Sequence, residues 1–104
     1  MEIEELKATF GKLQSHSAVS VIIGLETEVS KIESIVKSAV KLHNVQDLYL
    51  VTGDYDILIK AVFPNYDEFE YFLVNELGKI PGILKSKTML ILSQRKENGE
   101  EAGV

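Results

Sequence analysis

The sequence predicts an α+β domain, a four-stranded antiparallel sheet with two helices on one face. Three observations predict it. Four segments are rich in β-branched residues, two others repeat their apolar residues at three- and four-residue steps, and their order is strand, helix, strand, strand, helix, strand. The chain then contains two similar βαβ halves joined by a hairpin, the ferredoxin-like arrangement. Right-handed crossovers put both helices on the same side of the sheet.

From Met1 to Gln14, Ile3, Leu6, Phe10 and Leu13 recur at helical spacing, although Gly11 weakens a helix there. Residues 1–16 therefore read as a leader or arm, packed either on a partner subunit or on the chain's own domain, which is expected over 17–96. Ser17 to Glu26 is apolar on both alternations, as expected of a central strand covered on both faces. Glu28 to His43 carries Val29, Ile32, Val36 and Ala39 along one side of a helix, with Asn44 placed to end it in the left-handed conformation. Two strands follow, Val45 to Thr52 and Tyr55 to Phe63, parted by Gly53-Asp54, a dipeptide suited to a primed hairpin turn.

Pro64 stops the second of these strands. Asn65 with Glu68 three residues later resembles a capping box ahead of Phe69, Phe72, Leu73, Leu77 and Ile80, so a second amphipathic helix is predicted. Gly78 and Pro81 close it, Pro81-Gly82 fits a type II turn, and Ile83 to Gln94 is the last strand. Beyond Arg95 the chain is charged and glycine-containing, and 97–104 reads as a disordered tail.

Composition narrows the function classes. With 104 residues, 45% of them apolar, the chain makes one domain that can bury a core without metal or disulfide staples. There are no cysteines, so neither a disulfide framework nor a thiolate site is available. No run reaches the roughly 18 to 20 apolar residues that span a bilayer, and the N-terminus lacks a secretion-signal layout, so a soluble cytoplasmic protein is expected. The net charge of -5, with basic residues scattered, argues against direct nucleic-acid binding. His16 and His43 lack carboxylates at ligand spacing, so no metal is expected, and no motif calls for a cofactor. Tyr49, Tyr66 and Tyr71 fall on different elements and read as packing or rim residues rather than a stacking platform.

The strand sequences disagree with a monomer. Val19, Val21, Ile23 and Leu25 lie on one alternation and Ala18 and Ile22 on the other; in the last strand Leu84, Leu90 and Leu92 oppose Ile83, Met89 and Ile91. Leaving such side chains in water forgoes about 1.5 to 3 kcal/mol each, so a second sheet is expected against the helix-free face, in a dimer of the dimeric α+β barrel type.

Two blocks carry a family resemblance: Leu48-Tyr49-Leu50-Val51-Thr52-Gly53-Asp54-Tyr55-Asp56-Ile57-Leu58-Ile59-Lys60, and Ile80-Pro81-Gly82-Ile83-Leu84-Lys85-Ser86-Lys87-Thr88-Met89. From about Val19 to Lys96 the chain resembles the C-terminal effector domain of the Lrp/AsnC transcription regulators, a module also known alone as the RAM domain. The first block resembles that family's "V-T-G-x-Y-D" hairpin and the second its "I-P-G-V-x-x-[ST]-x-T" turn and strand. The resemblance implies homodimers built sheet to sheet, assembly into tetramers of dimers (octamers), and amino-acid effectors bound in clefts between dimers. Where the family's regulators carry a helix-turn-helix domain this sequence shows a short leader, so a stand-alone module is expected, acting through full-length Lrp/AsnC-type regulators.

By position, the resemblance makes Gly53, Asp54, Tyr55 and Asp56 the loop that meets the effector, with Ser86 and Thr88 approaching from the last strand. The chemistry suits a zwitterion: backbone amides near Gly53 and the two hydroxyls can donate to an α-carboxylate, and Asp54 or Asp56 can accept from an α-ammonium. The plainer readings are turn chemistry for Gly53-Asp54, an exposed strand-end carboxylate for Asp56, and ordinary strand polarity for Ser86 and Thr88. Two alternatives to the non-enzymatic binding module are a small enzyme on a ferredoxin-like or dimeric α+β barrel scaffold and an ACT-type effector domain. The enzyme reading lacks a nucleophile paired with a histidine, and the sole arginine, Arg95, adjoins the tail.

Overall fold

The computed structural model describes residues 18–102. The leader expected over 1–16 lies outside the described residues. Strands β1 (Val19–Thr27), β2 (Val45–Leu50), β3 (Ile57–Phe63) and β4 (Ile83–Leu90) form one antiparallel sheet in the order β2-β3-β1-β4. Helix α1 starts as a 3-10 turn, Val29–Lys31, and continues as Ile32–Ala39. Helix α2 runs from Tyr66–Tyr71 through a π-type turn, Phe72–Glu76, into a 3-10 turn, Leu77–Lys79. This is the ferredoxin-like order that the sequence predicts.

Register decides which side chains meet the helices, because directly opposed residues of an antiparallel pair share a face. Val21 faces Ala61 and Leu90, Ile23 faces Ile59 and Thr88, and Leu25 faces Ile57 and Ser86. The β1 and β3 members of this set are buried, under Ile35 and Ala39 of α1 and Phe69, Phe72 and Leu77 of α2. Phe63 stands edge-on to Phe69 and Phe72, with centroids 5.3 and 5.0 Å away. Each large side chain so buried stabilises the fold by about 1.5 to 3 kcal/mol relative to exposure.

Several local expectations are corrected. In α1 the buried pair is Ile35 and Ala39, whereas Val29 is 82% exposed. The opening 3-10 turn advances about 120° per residue instead of 100°, which rotates Val29 off the face that a continuous α-helix would give it. Asn44 does not enter the left-handed region. Its carboxamide donates to the Val62 carbonyl at 3.0 Å while its own carbonyl accepts from the Val62 N–H at 3.0 Å, so it ties the α1–β2 connection to β3. At α2 the expected cap is present, Asn65 accepting from the Glu68 N–H at 2.9 Å. The helix passes through Gly78 and stops only before Pro81.

Strand β4 ends at Leu90 rather than Gln94, and it does not keep strict alternation. The register shifts between Glu26 and Thr27, where Thr27 faces Ile83 and Leu84 is the extra residue. A bulge of this kind inverts the phase of everything beyond it. Leu90 and Ile83 therefore both pack on the core, which two-residue periodicity forbids, while Leu84 is 62% exposed.

The tail is also corrected within the described residues. Lys96–Glu97 and Glu100–Glu101 pair as a two-stranded ribbon, β5 and β6. Asn98 and Gly99 take φ of 51° and 83°, the pair of positive angles that a type I′ turn requires and that Asn-Gly adopts most readily. The primed turn expected at Gly53-Asp54 is thus found at Asn98-Gly99.

Candidate functional site

The hairpin between β2 and β3 is real, but a six-residue loop, Val51 to Asp56, joins its strands in place of a two-residue turn. The Val51 N–H donates to the Asp56 carbonyl at 3.0 Å and closes the loop. The reason for the wider loop lies on β1. The Asp56 N–H donates to the Leu25 carbonyl at 2.8 Å, and the Asp56 carboxylate accepts at Oδ2 from the Thr27 N–H at 2.8 Å and from Thr27 Oγ1 at 3.3 Å. Asp56 therefore serves β1, and β3 begins one residue later, at Ile57.

At the exposed tip, Thr52, Gly53 and Asp54 stand in solvent. Gly53 has φ of 115°, and a Cβ added there would meet nothing within 4 Å. Its glycine is thus needed for backbone conformation and not for lack of room; an L-residue held there is strained by about 1 to 3 kcal/mol. Tyr55 is half-buried, its ring lying against the α-carbon of Gly24.

Gly53, Asp54, Tyr55 and Asp56 are thus brought into one loop. Ser86 and Thr88 are on β4, separated from β3 by β1, which at about 4.8 Å per strand sets them roughly 10 Å from β3. Ser86, opposite Leu25, is exposed at the same end of the sheet as the loop. Thr88, opposite Ile23, is only 5% exposed and points to the helix-covered side. Among the described residues no side-chain hydrogen bond joins either of them to the loop.

Two residues important to this geometry escaped the sequence reading, Thr27 and Gly24. A lone glycine within a β-branched strand is a sign of close approach by another group, and Gly24 carried that sign. Nothing local marks Thr27, because its partner Asp56 is 29 residues away.

The helix-free face adjoins the loop. By register it presents Ile22 and Glu26 of β1, Leu58, Lys60 and Val62 of β3, Asp47 and Tyr49 of β2, and Lys87 and Met89 of β4. Ile22, Leu58 and Val62 are half-buried, and Met89 is 42% exposed. This face is mixed, with an apolar centre crossed by charges of both signs. Among the described residues no group of histidine, aspartate and glutamate could hold a metal ion, and no helix is long and apolar enough to cross a membrane.

Comparison with known proteins agrees with the architecture. The family model of the Lrp/AsnC ligand binding domain matches residues 20–101, so the match extends through the β5–β6 ribbon. The HTH-type transcriptional regulator FL11 of Pyrococcus abyssi is 32% identical over 76 residues, covering 73% of this chain and 50% of the relative. An uncharacterised HTH-type regulator of Pyrococcus furiosus is 27% identical over 94 residues, covering 90% of this chain and 64% of the relative. The chain spans about half to two-thirds of the length of these curated relatives. In fold it is similar to Escherichia coli AsnC, with a TM-score of 0.74 at 20% identity over 92% of this chain and 71% of that one. It is also similar to a Neisseria meningitidis transcriptional regulator solved as an L-Met complex, with a TM-score of 0.72 at 17% identity over 91% and 69% of the two chains.

Proposed function

The chain belongs to the Lrp/AsnC ligand-binding domain family, and from that premise we propose that it is a non-enzymatic regulatory module that binds an amino acid and associates with copies of itself. One observation carries the reading. The Thr52-Gly53-Asp54-Tyr55-Asp56 segment forms an exposed, well-anchored loop, inside a domain that matches the family over most of the chain. The loop tip is the proposed contact for the effector. Its backbone and the Thr52 hydroxyl can donate to an α-carboxylate, and the exposed Asp54 carboxylate can accept from an α-ammonium. Asp56 is committed to Thr27, so its part is to hold the tip. Ser86, exposed at that end of the sheet, is the proposed further contact from β4; Thr88, only 5% exposed on the core side, is given an indirect part, holding β4 in place.

Support for an amino acid as the effector comes from the Neisseria regulator of the same fold, whose structure contains L-Met. Support for self-association comes from the helix-free face, where Ile22, Leu58, Val62 and Met89 form an apolar centre that another sheet would cover. A dimer through that face, further assembled into a tetramer of dimers, would place the loops near subunit boundaries. Acting in the cytoplasm through full-length regulators of the family is the corresponding biological role, and co-purification with such a regulator tests it.

The direct experiment is size-exclusion light scattering together with a thermal-shift screen of the twenty amino acids. A ligand selective for the native state raises its stability by mass action, by about 2.7 kcal/mol at a hundred times its dissociation constant. An oligomer stabilised by at least one amino acid is expected. A monomer indifferent to all of them would overturn the proposal.

A further inference from the structure

We infer that two residues of β1, Gly24 and Thr27, are positioning residues for the effector loop, fixing its conformation from outside without touching the ligand. The inference rests on the reading of that loop as the effector site. A Cβ built on Gly24 would lie 2.7, 2.8 and 2.9 Å from Cδ1, Cγ and Cδ2 of Tyr55. Three adjoining ring carbons at nearly equal distances mean that the ring lies flat over the Gly24 α-carbon. Gly24 alternates with the buried Ile23 and Leu25, so the ring rests on the helix-free face.

Thr27 lies two residues beyond Leu25 on β1, and its backbone N–H, at 2.8 Å, with its hydroxyl, at 3.3 Å, takes the Asp56 carboxylate at the strand's edge. Two consecutive loop residues are thus held to one strand, the Tyr55 ring on its helix-free face and Asp56 along its backbone edge, where the carboxylate meets Thr27 and the N–H meets the Leu25 carbonyl. A loop held this way cannot lift from β1 or slip along it without breaking one of the three contacts. Connecting loops ordinarily open at little cost, and ordering one on binding subtracts from affinity. Gly24 and Thr27 remove that loss in advance and present Gly53 and Asp54 in one place.

The test compares wild type, Gly24→Ala, Tyr55→Ala and the double variant by amide hydrogen exchange and by calorimetric titration with L-methionine, then with the other nineteen amino acids. In Gly24→Ala the new methyl displaces the ring, so the Val51, Asp56 and Thr27 amides should exchange about tenfold faster while Ile23 and Ile59 stay protected. Affinity for the amino acid that wild type binds should fall about tenfold. The double variant should be no worse than Tyr55→Ala alone, because the ring that the methyl strikes is gone. Should Gly24→Ala fail to fold, Tyr55→Ala, which adds no atoms, must show the same loop-specific exchange.

Unchanged loop exchange in both single variants overturns the inference. So does a double variant that shows the sum of the two single effects. A wild-type protein that takes up none of the amino acids sinks the effector reading instead, and the exchange comparison then still decides whether β1 positions the loop.

Discussion

Asp56→Ala separates anchoring from ligand contact. In the native fold Oδ2 of Asp56 accepts from the Thr27 N–H at 2.8 Å and from its hydroxyl at 3.3 Å, and Thr27 is 6% exposed. Alanine leaves that N–H without its acceptor in a place water scarcely reaches. A hydrogen bond to a charged group contributes about 1.5 to 3 kcal/mol, and an orphaned buried donor costs about 1 to 3 kcal/mol by itself. Since these describe the same loss from two directions, the expected destabilisation is about 2 to 3 kcal/mol. For a domain of this size that lowers Tm by roughly 10 to 20 °C. Asp56→Asn keeps a carbonyl oxygen for the Thr27 N–H and should lose only about 1 kcal/mol, the difference between a charged and a neutral acceptor. Urea unfolding at fixed protein concentration, with unchanged m-values, measures both. An alanine variant within about 0.5 kcal/mol of wild type, or an asparagine variant that costs as much as alanine, refutes the anchoring role of Asp56.

Other perturbations probe the remaining parts. Gly53→Ala must hold an L-residue at φ of 115°, so a loss of about 1 to 3 kcal/mol confined to the loop is expected, with weaker amino-acid binding by calorimetry in a still folded protein. Phe63→Ala removes a fully buried ring that meets both Phe69 and Phe72 and should cost about 3 to 5 kcal/mol in denaturant titration. Met89→Asp places a charge on the helix-free face; light scattering should report a smaller assembly while circular dichroism stays native. Gly99→Ala strains only the β5–β6 turn, so amide exchange should rise there and leave β1–β4 unchanged.

Most of the architecture was legible because it rests on local patterns. Asn65 and Glu68 announced a cap that the fold forms, and the apolar residues of β1 and β3 announced strands whose inner face is the core. The loop residues Gly53 to Asp56 were legible as a group through a motif. Legibility failed where a local signal had two uses. Gly53-Asp54 and Asn98-Gly99 both suit a primed turn; only the second makes one, because Asp56 is bound to Thr27 and widens the first into a loop. Asn44 suits a left-handed cap, but a partner on β3 takes its side chain instead. A bulge in β4, invisible to a period of two, decided which of its leucines entered the core.

By itself the sequence determined the order of the four strands of the main sheet and of its two helices, the burial of the inner alternation and the family, since periodicity, capping and motif spacing are properties of neighbours along the chain. Only the tertiary structure decided that Ser86 and Thr88 lie on opposite sides of accessibility, that Asp56 anchors β1, and that Gly24 seats the Tyr55 ring. Those outcomes depend on strand register and on contacts between residues about thirty apart, which exist only once β1 is enclosed between β3 and β4.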